Sequence, residues 1–365
     1  MFNIIKMTVI LTLFCIISAG SLAFVNNKTS PVIEARSHTE EDSARRNLLM
    51  GNKIDLLDFS DDNYTYEDSN GTKVSINIKK HKIKAVNIVN LKGHDEITRD
   101  TIDNFVNQVN KEQRIIATDL NDNQKFLFTI MKNALKSKIE FERYILIRIP
   151  MIHKNDTTKK WDIIKAFKIK DNDLFPLNND QMIAYKLSAG KPVFIGVGGK
   201  IARELSNKVN IGDGYTNIKS LTNPKYSIYY VGHIGSTELG VVTTCSPKGY
   251  GGPINFLAAF DFTGKVKGVK VLSMNETPGL GAKAIEINPI MVEKKSAKFQ
   301  NTNMDKNKPW FTEQFNSLSL DELYLTKDNP EGKVDAITAA TITSRAITNG
   351  LREKMGEFLK LRKML

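Results

Sequence analysis

From Met7 to Val25 the chain carries no charge, and this run, MTVILTLFCIISAGSLAFV, lies between Lys6 and Asn26-Asn27-Lys28. At about 1.5 Å of rise per residue it reaches across the roughly 30 Å hydrocarbon core of a bilayer as one helix. Residues 1–25 therefore read as a retained N-terminal membrane anchor. Ser21-Leu22-Ala23 also offers a small-x-small cleavage site, so a cleaved signal peptide is the alternative. Residues 26–50 turn polar and read as a helical neck leading off the membrane.

Past the neck the period changes. Val74, Ile76 and Ile78 alternate with polar residues, and Ile83, Val86, Ile88 and Val89 form a second apolar strand. Helical spacing follows around 100–112 and 124–140, where Phe126, Phe128, Ile130, Met131 and Leu135 supply the apolar face. Strands return at 143–151 and 161–169. PVFIGVGGK at 192–200 reads as a strand entering a glycine turn and then the helix IARELSNK; Ile201 stands where a dinucleotide fingerprint needs its third glycine. The clearest β region is 226–274, and its last two strands meet at Phe262-Thr263-Gly264-Lys265, a hairpin turn with glycine where positive φ is wanted.

Composition narrows the classes. The net charge of +12 invites a nucleic-acid partner, but the basic residues are scattered, mostly lysine, and interleaved with Asp, Glu and Asn. That is a solvated surface, or one lying near anionic lipid, and no nucleic acid is expected. The two cysteines, Cys15 and Cys245, form no CxxC or Cys/His cluster, which leaves zinc and iron–sulfur without ligands. Asp171-Asn172-Asp173 opens like a calcium loop but lacks its sixth-position Gly and twelfth-position Glu, so it reads as a turn. Lys28, Arg36, Arg45 and Arg46 follow the span, against Lys6 before it; by charge alone this argues for a cytoplasmic body.

Three islands carry candidate chemistry. Gly249-Tyr250-Gly251-Gly252-Pro253-Ile254 sets three glycines around one aromatic, so that backbone can approach a flat ligand while Tyr250 offers a ring face; alone it reads equally as a turn. Asn275-Glu276-Thr277-Pro278-Gly279-Leu280-Gly281 pairs fixed and permissive backbone with polar and apolar side chains, which suits a ligand having one apolar face and a hydrogen-bonding edge. Asp335-Ala336-Ile337-Thr338-Ala339-Ala340-Thr341-Ile342-Thr343-Ser344 packs hydroxyls among small residues ahead of a helix whose stripe is Ile347, Leu351, Met355 and Leu359. Thr341, Thr343 and Ser344 then lie at a helix N-terminus, where free amides and the dipole favour a phosphate. An ordinary Ser/Thr N-cap explains the same residues.

Taken in order, GYGGPI, ETPGLG and DAITAATITS resemble the FMN-binding domain of the G subunit of Rnf-type electron-transport complexes, shared with the C subunit of sodium-translocating NADH:quinone reductases. The resemblance covers about 226–350 and extends to the N-terminal anchor. It implies FMN joined through its phosphate to a threonine, within Asp, two residues, Ser or Thr, Gly or Ser, Ala, Thr. Asp335, Thr338, Ala340 and Thr341 fit, with Thr341 the acceptor; Ala339 departs from the usual glycine. It further implies that Thr277, Leu280 and Tyr250 border the isoalloxazine, that Glu276 bonds its polar edge, and that Gly251, Gly279 and Gly281 shape the loops.

The expected architecture is α+β: an N-terminal transmembrane helix, a β-rich FMN-binding domain with flanking helices at 206–365, and an expanded accessory α+β region at 51–205. The function implied is an electron relay in an ion-translocating ferredoxin/NAD oxidoreductase complex. Its partners are the other membrane subunits, membrane lipid, and a flavin transferase during maturation. The location implied is the cytoplasmic membrane of the cell, single-pass, with the soluble domain on the outer face. A flavin-binding sensory or regulatory membrane protein without ion transport is the alternative.

Overall fold

The computed structural model describes residues 2–365 apart from Lys92, Asp95, Asn172 and residues 154–155, 178–183, 189–190, 198–199, 202–208, 211–214 and 218–224. Two compact units result, Met1–Arg45 and Arg46–Leu365. Helix α1 (Phe2–Met50) is continuous, so the expected anchor and neck share one helix. Leu11, Phe14, Ile17, Leu22 and Phe24 are exposed along it. Among the described residues no helix is long and apolar enough to cross a membrane, so the span expected within residues 1–25 is not itself shown.

Next in order are β1 (Lys53–Asp55), β2 (Asp62–Glu67), β3 (Lys73–Lys79), β4 (Lys82–Val89), α2 (Arg99–Glu112), β5 (Arg114–Ile116) and α3 (Asp122–Lys136). Strands β2, β3 and β4 form an antiparallel sheet whose inward positions Tyr64, Val74, Ile76, Ile78, Ile83 and Val86 are buried. The β3–β4 turn places Lys80 and His81 at positive φ, the conformation that Asn-Gly favours, although the sequence carries no such signal there. Helix α2 buries Ile102, Phe105 and Val109 and is capped by Thr98; α3 opens with a capping box between Asn121 and Gln124. Phe126, expected on the buried face of α3, instead stacks on His94 with centroids 3.6 Å apart.

A long antiparallel sheet then builds from β6 (Glu140–His153), β7 (Asp156–Lys170), β8 (Asp173–Pro176), β9 (Ala184–Ser188), β10 (Lys191–Val197), β11 (Lys200–Ile201), β12 (Val209–Asn210), β13 (Tyr215–Asn217), β14 (Lys225–Ile234), β15 (Thr237–Cys245), β16 (Asn255–Phe260) and β17 (Val266–Ser273). Its central order is β8-β7-β6-β14-β15-β16-β17. Strand β6 runs beside β14 in the register Ile145↔Ile228 and Tyr144↔Tyr229, so the sheet passes straight through the boundary at 205/206. The helix expected after Gly199 does not begin at Ile201, because Lys200 and Ile201 fold back on Val197 and Gly196 as a strand pair. The rest of that expected helix, 202–208, lies outside the described residues. The β16–β17 hairpin is as expected, with Gly264 at φ 91°.

Helices α4 (Pro289–Phe299), α5 (Trp310–Glu313) and α6 (Thr341–Arg362) complete the unit. Ile347, Leu351, Met355, Phe358 and Leu361 of α6 are buried in one core with Tyr229, Val241, Phe256 and Phe260 of the sheet and with Phe311 and Phe315. Each such side chain contributes roughly 1.5–3 kcal/mol by leaving water. The expected Leu359 gives way to Phe358 because steps of four residues drift around a helix of 3.6 residues per turn. Phe358 stacks on Phe260 at 5.6 Å.

Two buried carboxylates sit in this framework. Glu357 of α6 accepts hydrogen bonds from Arg148 Nη2 (2.7 Å), Ser227 Oγ (2.7 Å), Tyr229 OH (3.0 Å) and Lys354 Nζ (3.0 Å). Burial opposes its charge, but Lys354 and these donors prevail and hold its carboxyl below the usual range. Glu313 has weaker support: Asp305 N–H and Asn316 Nδ2 donate to it, each at 2.7 Å. Burial raises its carboxyl to about 7, against the pull of Lys308.

A folded-state pKa above the unfolded one gives stability that is complete below about 4.5 and is lost as pH rises through about 7. Glu313→Gln is therefore expected to match wild type at pH 4 and to exceed it at pH 8 by on the order of 3 kcal/mol. Urea unfolding at the two pH values measures this; an equal difference at both would show that ionisation of Glu313 is not the cause.

Candidate functional site

The three islands, far apart in sequence, converge on one carboxylate. Glu276 follows β17 and is buried, with only 8% of its surface exposed. Its Oε1 accepts the Gly251 N–H at 3.1 Å, and its Oε2 accepts the Thr343 hydroxyl at 2.5 Å. The Gly-Tyr-Gly loop, the Glu-Thr-Pro-Gly loop and the start of α6 are thus tied at a single point. Glycine is required around it: a Cβ on Gly251 would lie 1.8 Å from Asn275 O, one on Gly249 2.3 Å from Glu276 Oε1, and one on Gly281 2.6 Å from both Glu276 Oε2 and Thr343 Oγ1. Sequence reasoning placed Glu276 against the ligand edge. Here both its oxygens serve the protein.

What the loops present outward is a mixed rim. Tyr250 stands 70% exposed at the tip of a tight loop closed by Gly249 N–H to Gly252 O (2.7 Å) and Ile254 N–H to Pro247 O (2.9 Å). Thr277 and Leu280 are exposed, and the Thr277 carbonyl accepts the N–H groups of Leu280 and Ala282. Gly279 sits at φ 74° with open space where a Cβ would point.

Thr341 is the first residue of α6 and is half-buried. Its N-cap, Ala340, has no side-chain acceptor, so the ordinary Ser/Thr cap does not account for this segment. The hydroxyls after it are otherwise used: Thr343 binds Glu276, and Ser344 accepts the Ile337 N–H (2.9 Å) while donating to Ala340 O (2.9 Å). The ladder begins at Ser344 N–H to Ala340 O, which leaves the amides of residues 341–343 without helical partners. Lys327 donates to Thr341 Oγ1. Thr338 is exposed.

Asp335 does structural work beside this point. It accepts from Lys295 Nζ (2.6 Å), Lys298 Nζ (2.7 Å) and Thr326 Oγ1 (2.9 Å). Burial alone would raise its carboxyl, but hydrogen bonds from Lys295, Lys298 and Thr326 bring it down to about 2. Its backbone is held in both directions by the Gln314 side chain. Ala339, where the family pattern favours glycine, adopts φ 60°. That left-handed conformation costs about 1–2 kcal/mol for an alanine. Lys327 and Gln314 are not among the sequence-predicted site residues, and Thr343 stands there only as one of three hydroxyls at the helix start. Thr343 was legible from its helix position; Lys327 and Gln314 lie in segments with no pattern to mark them.

These features fit a flavin mononucleotide: backbone bared by glycines, a partly apolar rim, and a cation beside free amides at the hydroxyl. Residues 249–355 match the family model described as FMN-binding domain. Two relatives are similar over part of their length. The G subunit of the proton-translocating ferredoxin:NAD(+) oxidoreductase complex of Clostridium ljungdahlii is 35% identical over 126 residues, 34% of this chain and 56% of the relative. The G subunit of the Na(+)-translocating ferredoxin:NAD(+) oxidoreductase complex of Acetobacterium woodii is 28% identical over 139 residues, 37% of this chain and 56% of that protein. The chain thus spans a little over half the length of these relatives. Among solved structures, it is similar to NqrC from Shewanella oneidensis, with 14% identity and a TM-score of 0.32 over 68% of this chain and 94% of that one.

Two substitutions test the geometry. Ala339→Gly should stabilise the protein by about 0.5–1 kcal/mol, the relief of left-handed strain less the greater freedom of the unfolded chain. Thermal unfolding reads this, and a loss of stability would contradict the left-handed assignment. Glu276→Ala leaves the Gly251 N–H and the Thr343 hydroxyl without their acceptor and is expected to cost about 2–4 kcal/mol. A change within about 0.5 kcal/mol would remove Glu276 as the tie.

Proposed function

We propose that the chain is a membrane-anchored flavoprotein subunit that carries FMN covalently on Thr341 and relays electrons within an ion-translocating ferredoxin/NAD oxidoreductase complex. The observation that carries the reading is the FMN-binding domain at 249–355 with Thr341 at the uncapped start of α6. The relatives' names support the wider setting, since each is the G subunit of an ion-translocating ferredoxin:NAD(+) oxidoreductase complex. Bound FMN supplies one- and two-electron carriage. The protein's part is positional. Thr341 holds the phosphate as an ester, Tyr250, Thr277 and Leu280 border the ring, and Glu276, Gly251 and Gly281 keep the loops around it.

The uncharged run Met7–Val25, helical within α1, is proposed as the anchor, with the body on the outer face of the cytoplasmic membrane. An attached flavin cannot be lost there, where no cytosolic pool would replace it. Other membrane subunits, surrounding lipid and a flavin transferase are the partners. Residues 51–205 are an accessory region built onto the flavin domain at 206–365.

Co-expression of the full chain with a flavin transferase, followed by denaturing electrophoresis, is the direct test. Wild type should fluoresce in the gel and carry an FMN mass adduct, and Thr341→Ala should lose both. Fluorescence surviving in Thr341→Ala would move the site elsewhere; a colourless wild type would end the flavoprotein reading.

A further inference from the structure

Lys327, exposed beside the start of α6, feels the charge of its neighbour Asp328 but binds no carboxylate among the described residues. The other charged groups around the start of α6 are matched. Lys295 and Lys298 bind Asp335, and Arg345 grips Asp328 through Nε (2.7 Å) and Nη2 (2.6 Å). Lys327 has one hydrogen bond among the described residues, to the neutral hydroxyl of Thr341. Ordering a lysine side chain costs up to about 2 kcal/mol of rotamer freedom, while a single bond to a neutral group returns roughly 0.5–1.5. A hydroxyl alone does not hold such a side chain in place.

The backbone under Lys327 is nevertheless held on both sides. Thr326, just before it, donates its hydroxyl to Asp335 Oδ1 at 2.9 Å and its N–H to Val334 O at 2.9 Å. Asp328, just after it, is bound to Arg345 of α6, and its N–H reaches back to Leu325 O at 2.9 Å. One clamp fastens the loop to the segment leading into α6 and the other to the second turn of α6. Lys327, between them, is carried onto Thr341. A phosphate ester on that oxygen brings one negative charge within reach of the Lys327 ammonium, in a bond that is charge-assisted on both sides.

We propose that Lys327 is the counter-cation of the flavin phosphate on Thr341, a positioning residue delivered by the doubly clamped loop 325–329. The proposal rests on the flavin reading above and goes beyond it by naming the residue that pairs with the ester. No bond is made or broken by Lys327. It pairs with the ester's single negative charge, and the amides of residues 341–343 donate to the same phosphate oxygens.

The test uses the full-length chain prepared with and without flavin transferase, and reads the acetylation rate of each lysine by mass spectrometry after a limiting dose of an amine-reactive acetyl donor. Lys327 should react about tenfold more slowly in the flavinylated protein, the scale of one charge-assisted hydrogen bond, while Lys363 is unchanged. A second arm compares Lys327→Met and Lys327→Arg at limiting transferase. The Met variant should accumulate adduct several-fold more slowly and the Arg variant near the wild-type rate, with the melting temperature of the unflavinylated proteins unaltered. Equal Lys327 reactivity in the two wild-type forms would overturn the proposal while leaving the flavin reading intact. Wild type without adduct would overturn both.

Discussion

Everything at the site hangs on a buried carboxylate with two short partners. Glu276 receives a backbone N–H from the Gly-Tyr-Gly loop and a hydroxyl from the first turn of α6. A carboxylate enclosed by protein has no water to solvate it, so its oxygens demand donors and tolerate little displacement of them. That demand ties three separate segments at one point. It also explains the glycines: with acceptor and donors this close, Gly249, Gly251 and Gly281 have no room for a side chain.

The rest of the unit brings those three pieces to the same place. Strand β17 delivers Glu276, the β15–β16 connection delivers the glycine loop, and α6, packed on the sheet through Ile347, Leu351, Met355 and Phe358, delivers Thr341 and Thr343. Asp335 and Gln314 set the path by which the chain enters that helix. Around this point the exposed groups are few and of mixed character, which leaves Tyr250, Leu280 and Thr277 free to face a ligand.

Much of this was legible in the residues because the signals were local. Alternation marked β3 and β4, four-residue spacing marked α6, and a Gly-containing turn marked the β16–β17 hairpin. The islands gave the site through their order as well as their composition. Interactions between distant segments were not legible. Strand β2 is polar apart from its two tyrosines, and it exists because β3 offers it an edge. Ile201 pairs with Gly196 where a helix start was expected. Glu276 carried the right composition for a ligand contact, but whether a glutamate faces a ligand or the protein depends on donors 25 and 67 residues away.

The bond from Arg148 to Glu357 joins residues 209 positions apart, and it carries a consequence for how the protein comes into being. The helix that presents Thr341 is seated on a sheet whose neighbouring strand, β6, comes from the accessory segment. Non-local pairings of this separation form late, because a long loop must close before they return any energy. The start of α6 therefore reaches its final setting only once strand β6 has been built in. A shortened chain lacking residues 140–170 would lose the strand that α6 is braced against.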